Sequence, residues 1–309
     1  MIAKEVNRVS WRVIHVSNVD QLALQLDNLR VIQGDTDVKI PLRDIFALVI
    51  EDLACKLTSR LMGELSKNNI LVLLCNQKYL PECVIHPVTG HFGQHRQMMK
   101  QLGWSEPCKE KLWQLIVRQK VLNQATVMRK QHVEYHRIDK VLELSESIEP
   151  GDHTNIEGQV AKIYFNSFFS GNFTRSNPNY IENAALNYGY AIFHSAIART
   201  IVAKGLIPGL GIHHRGQRNP HNLASDIIEP FRQIVDYFVI NTPPDGFLTK
   251  DYRISLINLL HSYILIDNKS QTVIRAIEIC INSIFDYFET GESEKVKLPK
   301  IDKIKFHEP

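Results

Sequence analysis

Near Gly90 the spacing of apolar residues changes from a period of two to a helical period, and this change constrains the fold more than any other feature of the chain. Before it, SWRVIHVS, LALQLDNLRVIQ and TDVKIPLRDIFALVIED alternate as strands do, with Asp27-Asn28 placed as a hairpin turn. LACKLTSRLMGELSKNN has one helical stretch, ILVLLC reads as a buried strand, and Asn76 to Gly90 reads as loop with short extended pieces. After it the stretches are long and helical. The expected architecture is therefore α+β and multidomain. It has a small β-rich domain over 1–90, a mostly α-helical domain over 91–291, and a Lys-rich tail over 292–309 that is either flexible or a docking strand. A length of 309 residues suits two domains at roughly 100–200 residues each. No internal repeat or low-complexity tract is visible.

Within the helical part, Leu186, Tyr190, Phe193, Ile197 and Ile201 fall on one stripe, and small residues such as Ala185, Gly189 and Ala196 let neighbouring helices approach. Glu182 to Ala203 is expected to be a central helix. The net charge is only +3, which excludes a histone-like polycation. Charge is uneven, however: His91 to Lys140 holds ten Lys/Arg against four Asp/Glu, either solvated helix faces or a phosphate-binding surface. The cysteines, Cys55, Cys75, Cys83, Cys108 and Cys280, form no CxxC, so no zinc ribbon or thioredoxin-type site is signalled. Their odd number and scatter fit reduced thiols. The opening MIAKEVNRVSW carries charge where a secretory signal needs apolar residues, and no apolar run approaches the ~20 residues of a membrane span. A cytoplasmic chain without a membrane partner is expected.

Three places in the helical part bear chemistry. Thr154-Asn155-Ile156-Glu157-Gly158 opens a helix; Glu157 is either the last member of a capping box begun by Thr154 or a carboxylate ligand beside Lys162 and Tyr164. Leu206 to Asn222, LIPGLGIHHRGQRNPHN, is a Gly/Pro-rich loop in which His213, His214, Arg215, Arg218 and His221 suit a metal or phosphate. It contains no HExxH. The third is Ser225-Asp226-Ile227-Ile228-Glu229-Pro230-Phe231-Arg232. Leu223, Ile227, Phe231, Ile234 and Phe238 trace an apolar stripe, while Asp226, Glu229, Arg232, Gln233 and Asp236 share the other side as either functional groups or an exposed ion-pair face. Pro230 should kink the helix or restart it after Glu229. Two or three carboxylates, one imidazole and no nearby cysteine suit a hard cation, Mg²⁺ or Mn²⁺, and phosphoryl chemistry.

GIHH at Gly211 to His214, NLASDIIEPFR at Asn222 to Arg232, ENAALNYGYA at Glu182 to Ala191 and the Glu157-Gly158 helix, in this order, resemble the CRISPR-associated adaptation integrase in its type II version. The resemblance covers essentially the whole chain. It implies a metal site of Glu157, His214 and Glu229, with Asp226 and His213 as alternatives. His213 stands at a usually apolar position, Glu229 where many relatives have Asp, and Lys162 where many have Arg. It further implies an endonuclease that inserts short foreign DNA fragments into the CRISPR array by 3′-hydroxyl attack on a repeat-boundary phosphodiester, with Lys162, Arg215, Arg218 and Arg232 as phosphate contacts. The implied partners are double-stranded DNA, a second copy through the N-terminal domain, and a small second adaptation protein that completes a heterohexamer. A non-catalytic DNA scaffold and a metal-dependent phosphoesterase of small substrates are the rival readings.

Overall fold

The computed structural model describes residues 12–307 apart from 86, 88, 89, 170–172 and 178. The opening MIAKEVNRVSW, Val88 and the last two residues of the tail lie outside the described residues. The backbone forms two compact units, 1–92 and 93–309.

The first unit runs β1 (Arg12–Val16), β2 (Gln21–Gln25), β3 (Asn28–Gln33), β4 (Thr36–Pro41), β5 (Ile45–Ile50), β6 (Lys56–Leu57), α1 (Ser59–Lys67), β7 (Leu71–Cys75) and β8 (Pro81–Ile85). One sheet has the order β1-β5-β7-β8 and the other β4-β3-β2-β6. All six residues of β5, IFALVI, are buried because β5 lies between parallel neighbours, which leaves it no solvent face. Thr58 caps α1 by accepting the Leu61 N–H at 3.2 Å. Leu61 and Leu65 then enter a core shared with Leu22 and Leu29 of one sheet and Leu48 and Val72 of the other.

The first hairpin turns one residue earlier than Asp27-Asn28. Gln25 pairs with Asn28, so Leu26 and Asp27 form the loop, and Leu26 is exposed in left-handed backbone at φ 54°. The third strand explains the difference: β4 pairs along β3 from Asn28–Pro41 to Gln33–Thr36, which draws Asn28 into the ladder.

The second unit runs α2 (Gln94–Leu102), α3 (Glu106–Lys130), α4 (Tyr135–Glu146), α5 (Ile156–Phe165), α6 (Ile181–Ala203), α7 (Asn222–Ile227), α8 (Arg232–Asn241), α9 (Lys250–Asn258), β9 (Tyr263–Ile266), β10 (Lys269–Thr272), α10 (Val273–Thr290) and β11 (Lys300–Lys305). Helix α6 is central, as its stripe predicts: Leu186, Tyr190, Phe193, Ile197 and Ile201 are buried, and it packs on α7, α8, α9 and α10. Gly189 sets the approach of α8, because a Cβ there would lie 2.5 Å from Val235 Cγ1. Helix α3 is the second spine and packs on α4, α5, α8 and β11. Lys111, Arg118, Arg129 and Lys140 are exposed, as a solvated face and a phosphate-binding surface both require; Lys120 points inward.

The Lys-rich segment is a strand where β11 forms. It pairs antiparallel with β9, buries Ile301, stacks Phe306 on Tyr237 and leaves Lys300, Lys303 and Lys305 in solvent. No described helix is long and apolar enough to cross a membrane.

Candidate active site

The start of α5 is built differently from a capping box. A short turn, Pro150–Asp152, precedes it, and the Asp152 carboxylate accepts the N–H groups of Ile156 at 2.8 Å and Glu157 at 3.0 Å. Asn155, in left-handed backbone, is the N-cap and accepts the Gly158 N–H at 3.1 Å. Gly158 leaves room for that cap, since a Cβ there would lie 2.8 Å from the Asn155 amide. With these donors satisfied by Asp152 and Asn155, Glu157 is not needed as a cap, and its carboxylate turns to the Lys120 ammonium.

Pro230 interrupts the other acidic helix as expected. Helix α7 ends at Ile227, a single 3₁₀ turn spans Glu229–Phe231, and α8 starts at Arg232. The apolar stripe is buried at Leu223, Ile227, Phe231 and Ile234, but the opposite side is not an exposed ion-pair face. Asp226, Glu229, Gln233 and Asp236 are all buried, because α3 and α6 cover this side as well. Glu229 Oε2 accepts Lys120 Nζ at 2.5 Å, and Glu229 Oε1 accepts Arg232 Nε at 3.0 Å. Two carboxylates from separate elements thus converge on one ammonium that is only 7% exposed.

Electrostatics holds this arrangement charged. Burial alone pushes the Glu229 carboxyl up, but Lys120 and Arg232 outweigh it and bring it down to about 2. Burial pulls the Lys120 ammonium down, and Glu229 with Glu157 more than reverses that. Arg232 lies over the Tyr190 ring at 4.5 Å. Tyr190 donates its hydroxyl to Asp236, a buried acid pushed up to about 6 chiefly by burial.

The loop before α7 is folded around Asp226, which is 0% exposed. Its Oδ2 accepts the Ile212 N–H at 2.5 Å and the His213 N–H at 3.2 Å, and its Oδ1 takes the His214 N–H at 3.0 Å and His214 Nδ1 at 2.7 Å. Gly211 permits this wrap, since a Cβ there would collide with the His214 carbonyl oxygen and lie 2.8 Å from Asp226 Oδ2. Asn222 ties the loop again by accepting the Gly216 N–H and donating to the Gly209 and Gly216 carbonyls. With Nδ1 donating to Asp226, His214 keeps the lone pair of Nε2 for a ligand. The Asp226 hydrogen bond, against burial, raises the His214 pKa, and the charges of Glu229 and Glu157 add to it. The neighbouring His213 stacks on Trp113 with ring centroids 4.3 Å apart.

Glu157 and Glu229 are thus joined through Lys120, and His214 is within electrostatic range of both. Among the described residues no three His, Cys, Asp or Glu side chains stand closed up as a ready-made metal site. The donor set nevertheless fits a divalent ion: two carboxylates already share one cation, and an imidazole nitrogen is left free by its carboxylate partner.

The weaker phosphate candidates separate. Arg232 lies in the acid cluster. Lys162 is not beside Glu157 but on another face of α5, lining a groove of about 410 Å³ with His136, Arg137 and Lys140. Arg215 pairs with Glu106 beside a cavity of about 490 Å³ that also reaches His214, and Arg218 is exposed.

Residue-type reasoning missed Lys120, Gln124, Asp152, Arg175 and Tyr190 as site residues. The signal for the first two was present: Trp113, Ile116, Val117, Lys120, Val121, Gln124, Val127 and Met128 form one buried stripe of α3, so two polar residues stand in phase with the core.

A family model for the CRISPR associated protein Cas1 matches residues 14–278. The chain is 35% identical, over 96% of its length and 98% of the relative's, to the CRISPR-associated endonuclease Cas1 of Neisseria meningitidis serogroup C (strain 8013). This chain belongs to the Cas1 family. The fold agrees: a Cas1 protein from Thermotoga maritima superposes with a TM-score of 0.75 at 15% identity, covering 90% of this chain and 97% of that one. A chain of a Cas6-RT-Cas1–Cas2 complex superposes with a TM-score of 0.72 at 19% identity, covering 94% of this chain and 36% of that one. Both the β-rich start followed by helices and the family resemblance read from GIHH and NLASDIIEPFR are therefore borne out.

Proposed function

We propose that Glu157, His214 and Glu229 hold one Mg²⁺ or Mn²⁺ ion, and that this centre joins the 3′-hydroxyl of a short DNA fragment to a phosphodiester at a CRISPR repeat boundary. As a Cas1 protein the chain is a CRISPR-associated endonuclease and adaptation integrase; to that we add the ligand set, the ion and the assembly. The observation that carries the ligand set is the convergence of Glu157 and Glu229 on one buried cation, with His214 oriented by Asp226. Asp226 is a positioning residue, because both its oxygens are taken by the loop.

When bound, the ion supplies Lewis-acid stabilisation of charge on the phosphate oxygens and eases deprotonation of the attacking hydroxyl. Lys120, which is buried, and Arg232, which is partly so, add positive charge where protein atoms surround it and it acts strongly on a developing phosphorane. Arg137, Lys140 and Lys162 hold the sugar-phosphate backbone along their groove, with Arg215 and Arg218 as further contacts. One P–O bond forms to the incoming oxygen as another breaks, so no nucleotide hydrolysis is required.

Joining both strands needs more than one such site. The assembly we propose is a homodimer through the N-terminal unit, with two dimers bridged by the small second adaptation protein in a heterohexamer acting in the cytoplasm. That a chain of a Cas1–Cas2 complex shares the fold supports this partner.

A non-catalytic scaffold does not account for the site. Caps and surface ion pairs need no buried acids, and burying charge is unfavourable unless every partner is in place. The test is strand transfer into a supercoiled repeat-bearing plasmid with Mn²⁺ and the small partner. E157A, H214A and E229A should each lose at least about a hundredfold in rate while still binding duplex fragments. Wild-type rates in any of the three would remove that residue from the centre, and turnover of small phosphoesters without salt-sensitive duplex affinity would favour the phosphoesterase reading.

A further inference from the structure

Beside the carboxylate pair lies a cavity of about 200 Å³ whose walls include Lys120, Glu157, Glu229, Gln124 and Gln233. Gln124 and Gln233 are each 1% exposed, and the amide oxygen Oε1 of each is buried without a hydrogen-bond partner. One orphaned acceptor in a protein interior is unusual, and two on side chains that line one small cavity call for a donor within reach.

The donor is already in the cavity wall. An ammonium offers three N–H groups on a flexible four-carbon stem. Gln124 follows Lys120 by four residues on α3, so the two side chains occupy one helix face. Lys120 now spends its donors on Glu157 and Glu229, the two acids assigned above to the ion. A divalent cation and an ammonium cannot share the same oxygens, because at contact distance in a buried site their repulsion is large. Arg232 is held by Glu229 at 3.0 Å, Arg175 is bonded to Asn183 and to Asn187 at 2.7 Å, and neither donates to the two amide oxygens.

We infer that Lys120 is the resident cation of this site and has two stations: its ammonium bridges Glu157 and Glu229 while no divalent ion is bound, and moves onto the Gln124 and Gln233 amide oxygens when the ion takes the carboxylates. This rests on the metal reading above. In the first station Lys120 is a positioning residue that stops the buried Glu229 and the half-buried Glu157 from repelling each other. In the second it keeps a positive charge within the cavity that adjoins the reacting phosphate. The displaced ammonium also sets the ion affinity, since every binding event must move it.

The test measures Mn²⁺ affinity of the full chain by the free-ion electron paramagnetic resonance signal, in wild type, K120M, Q124L/Q233L and the triple variant. K120M should bind Mn²⁺ at least about tenfold more tightly, because no cation must be displaced. Q124L/Q233L, which exchanges two amides with unsatisfied oxygens for apolar groups of similar size and should fold, is expected to bind at least roughly threefold more weakly, because the second station is lost. In the K120M background the two leucines should change nothing. Equal affinity in wild type and K120M, or an equal effect of the leucines with and without Lys120, overturns the inference. Should K120M fail to fold, unchanged affinity in Q124L/Q233L overturns it alone. Mn²⁺ binding absent from every variant, or insensitive to E157A, sinks the metal reading and this one with it.

Discussion

Asp226 holds His214 twice through a single oxygen: Oδ1 accepts the backbone N–H of His214 at 3.0 Å and its ring Nδ1 at 2.7 Å. The same carboxylate therefore shapes the loop and chooses the imidazole tautomer, which couples the fold of GIHH to its ligand chemistry. A carboxylate is needed for this because four donors point at it and none of its oxygens has to donate.

Replacing Asp226 by Asn should therefore act on both levels. The amide nitrogen would face N–H donors, leaving buried groups unsatisfied, and D226N should lose about 2–4 kcal/mol of stability. Strand transfer should fall about 10–100-fold, as expected when the partner of a metal-binding imidazole is removed. Thermal unfolding together with the integration assay checks this; an unaltered melting temperature would show that Asp226 does not hold the loop.

Asp236 should govern part of the pH dependence of stability. Its carboxyl is raised in the fold to about 6 from an ordinary 3.8, so the fold favours the neutral form. That contribution is fully present below pH 3.8 and is lost as the pH rises through 6. Asn mimics the neutral acid and still accepts the Tyr190 hydroxyl. D236N should thus be more stable than wild type at pH 8 by about 1–3 kcal/mol, with the gap closing by about pH 4. Denaturant titrations at the two pH values measure it, and a gap that widens on acidification would contradict the sign.

The groove of Arg137, Lys140 and Lys162 should carry sequence-independent DNA affinity. Exchanging each for Glu should weaken duplex binding at all sequences and lower the slope of log affinity against log salt by about 0.9 for each phosphate that is no longer neutralised. Fluorescence anisotropy across a salt series reads the slope. An unchanged slope with the triple variant would move the DNA path elsewhere.

Strand β11 should be structural. Deleting residues 299–309 uncovers β9, removes the buried Ile301 and takes away the Pro299 carbonyl that accepts Asn123 Nδ2 at 3.0 Å. The deletion should cost about 2–4 kcal/mol. Unchanged unfolding with abolished complex formation would instead assign the segment to partner binding.

Much of the architecture was legible in the order of residues. The change of period near Gly90, the apolar stripe of Glu182 to Ala203 and the break at Pro230 are local properties: side-chain spacing and a missing N–H act over one or two turns wherever the chain goes. The motifs GIHH and NLASDIIEPFR marked the site for the same reason, since Asp226 makes its bonds, and Gly211 its close approaches, within fifteen residues.

What the tertiary structure decided was which polar groups are buried. Residue types leave Glu157 open between a cap begun by Thr154 and a ligand, and Asp226 to Asp236 open between functional groups and a surface ion-pair face; the cap and the ion-pair face are both sound in isolation. They yield to interactions that local spacing does not encode. Asp152 and Asn155 relieve Glu157 of capping, while α3 brings Lys120 from 37 residues away to Glu157 and from 109 away to Glu229. Charge in a sequence is the same on either face of a helix; only packing removes it from water, and that removal turns an ordinary lysine and two glutamates into a site.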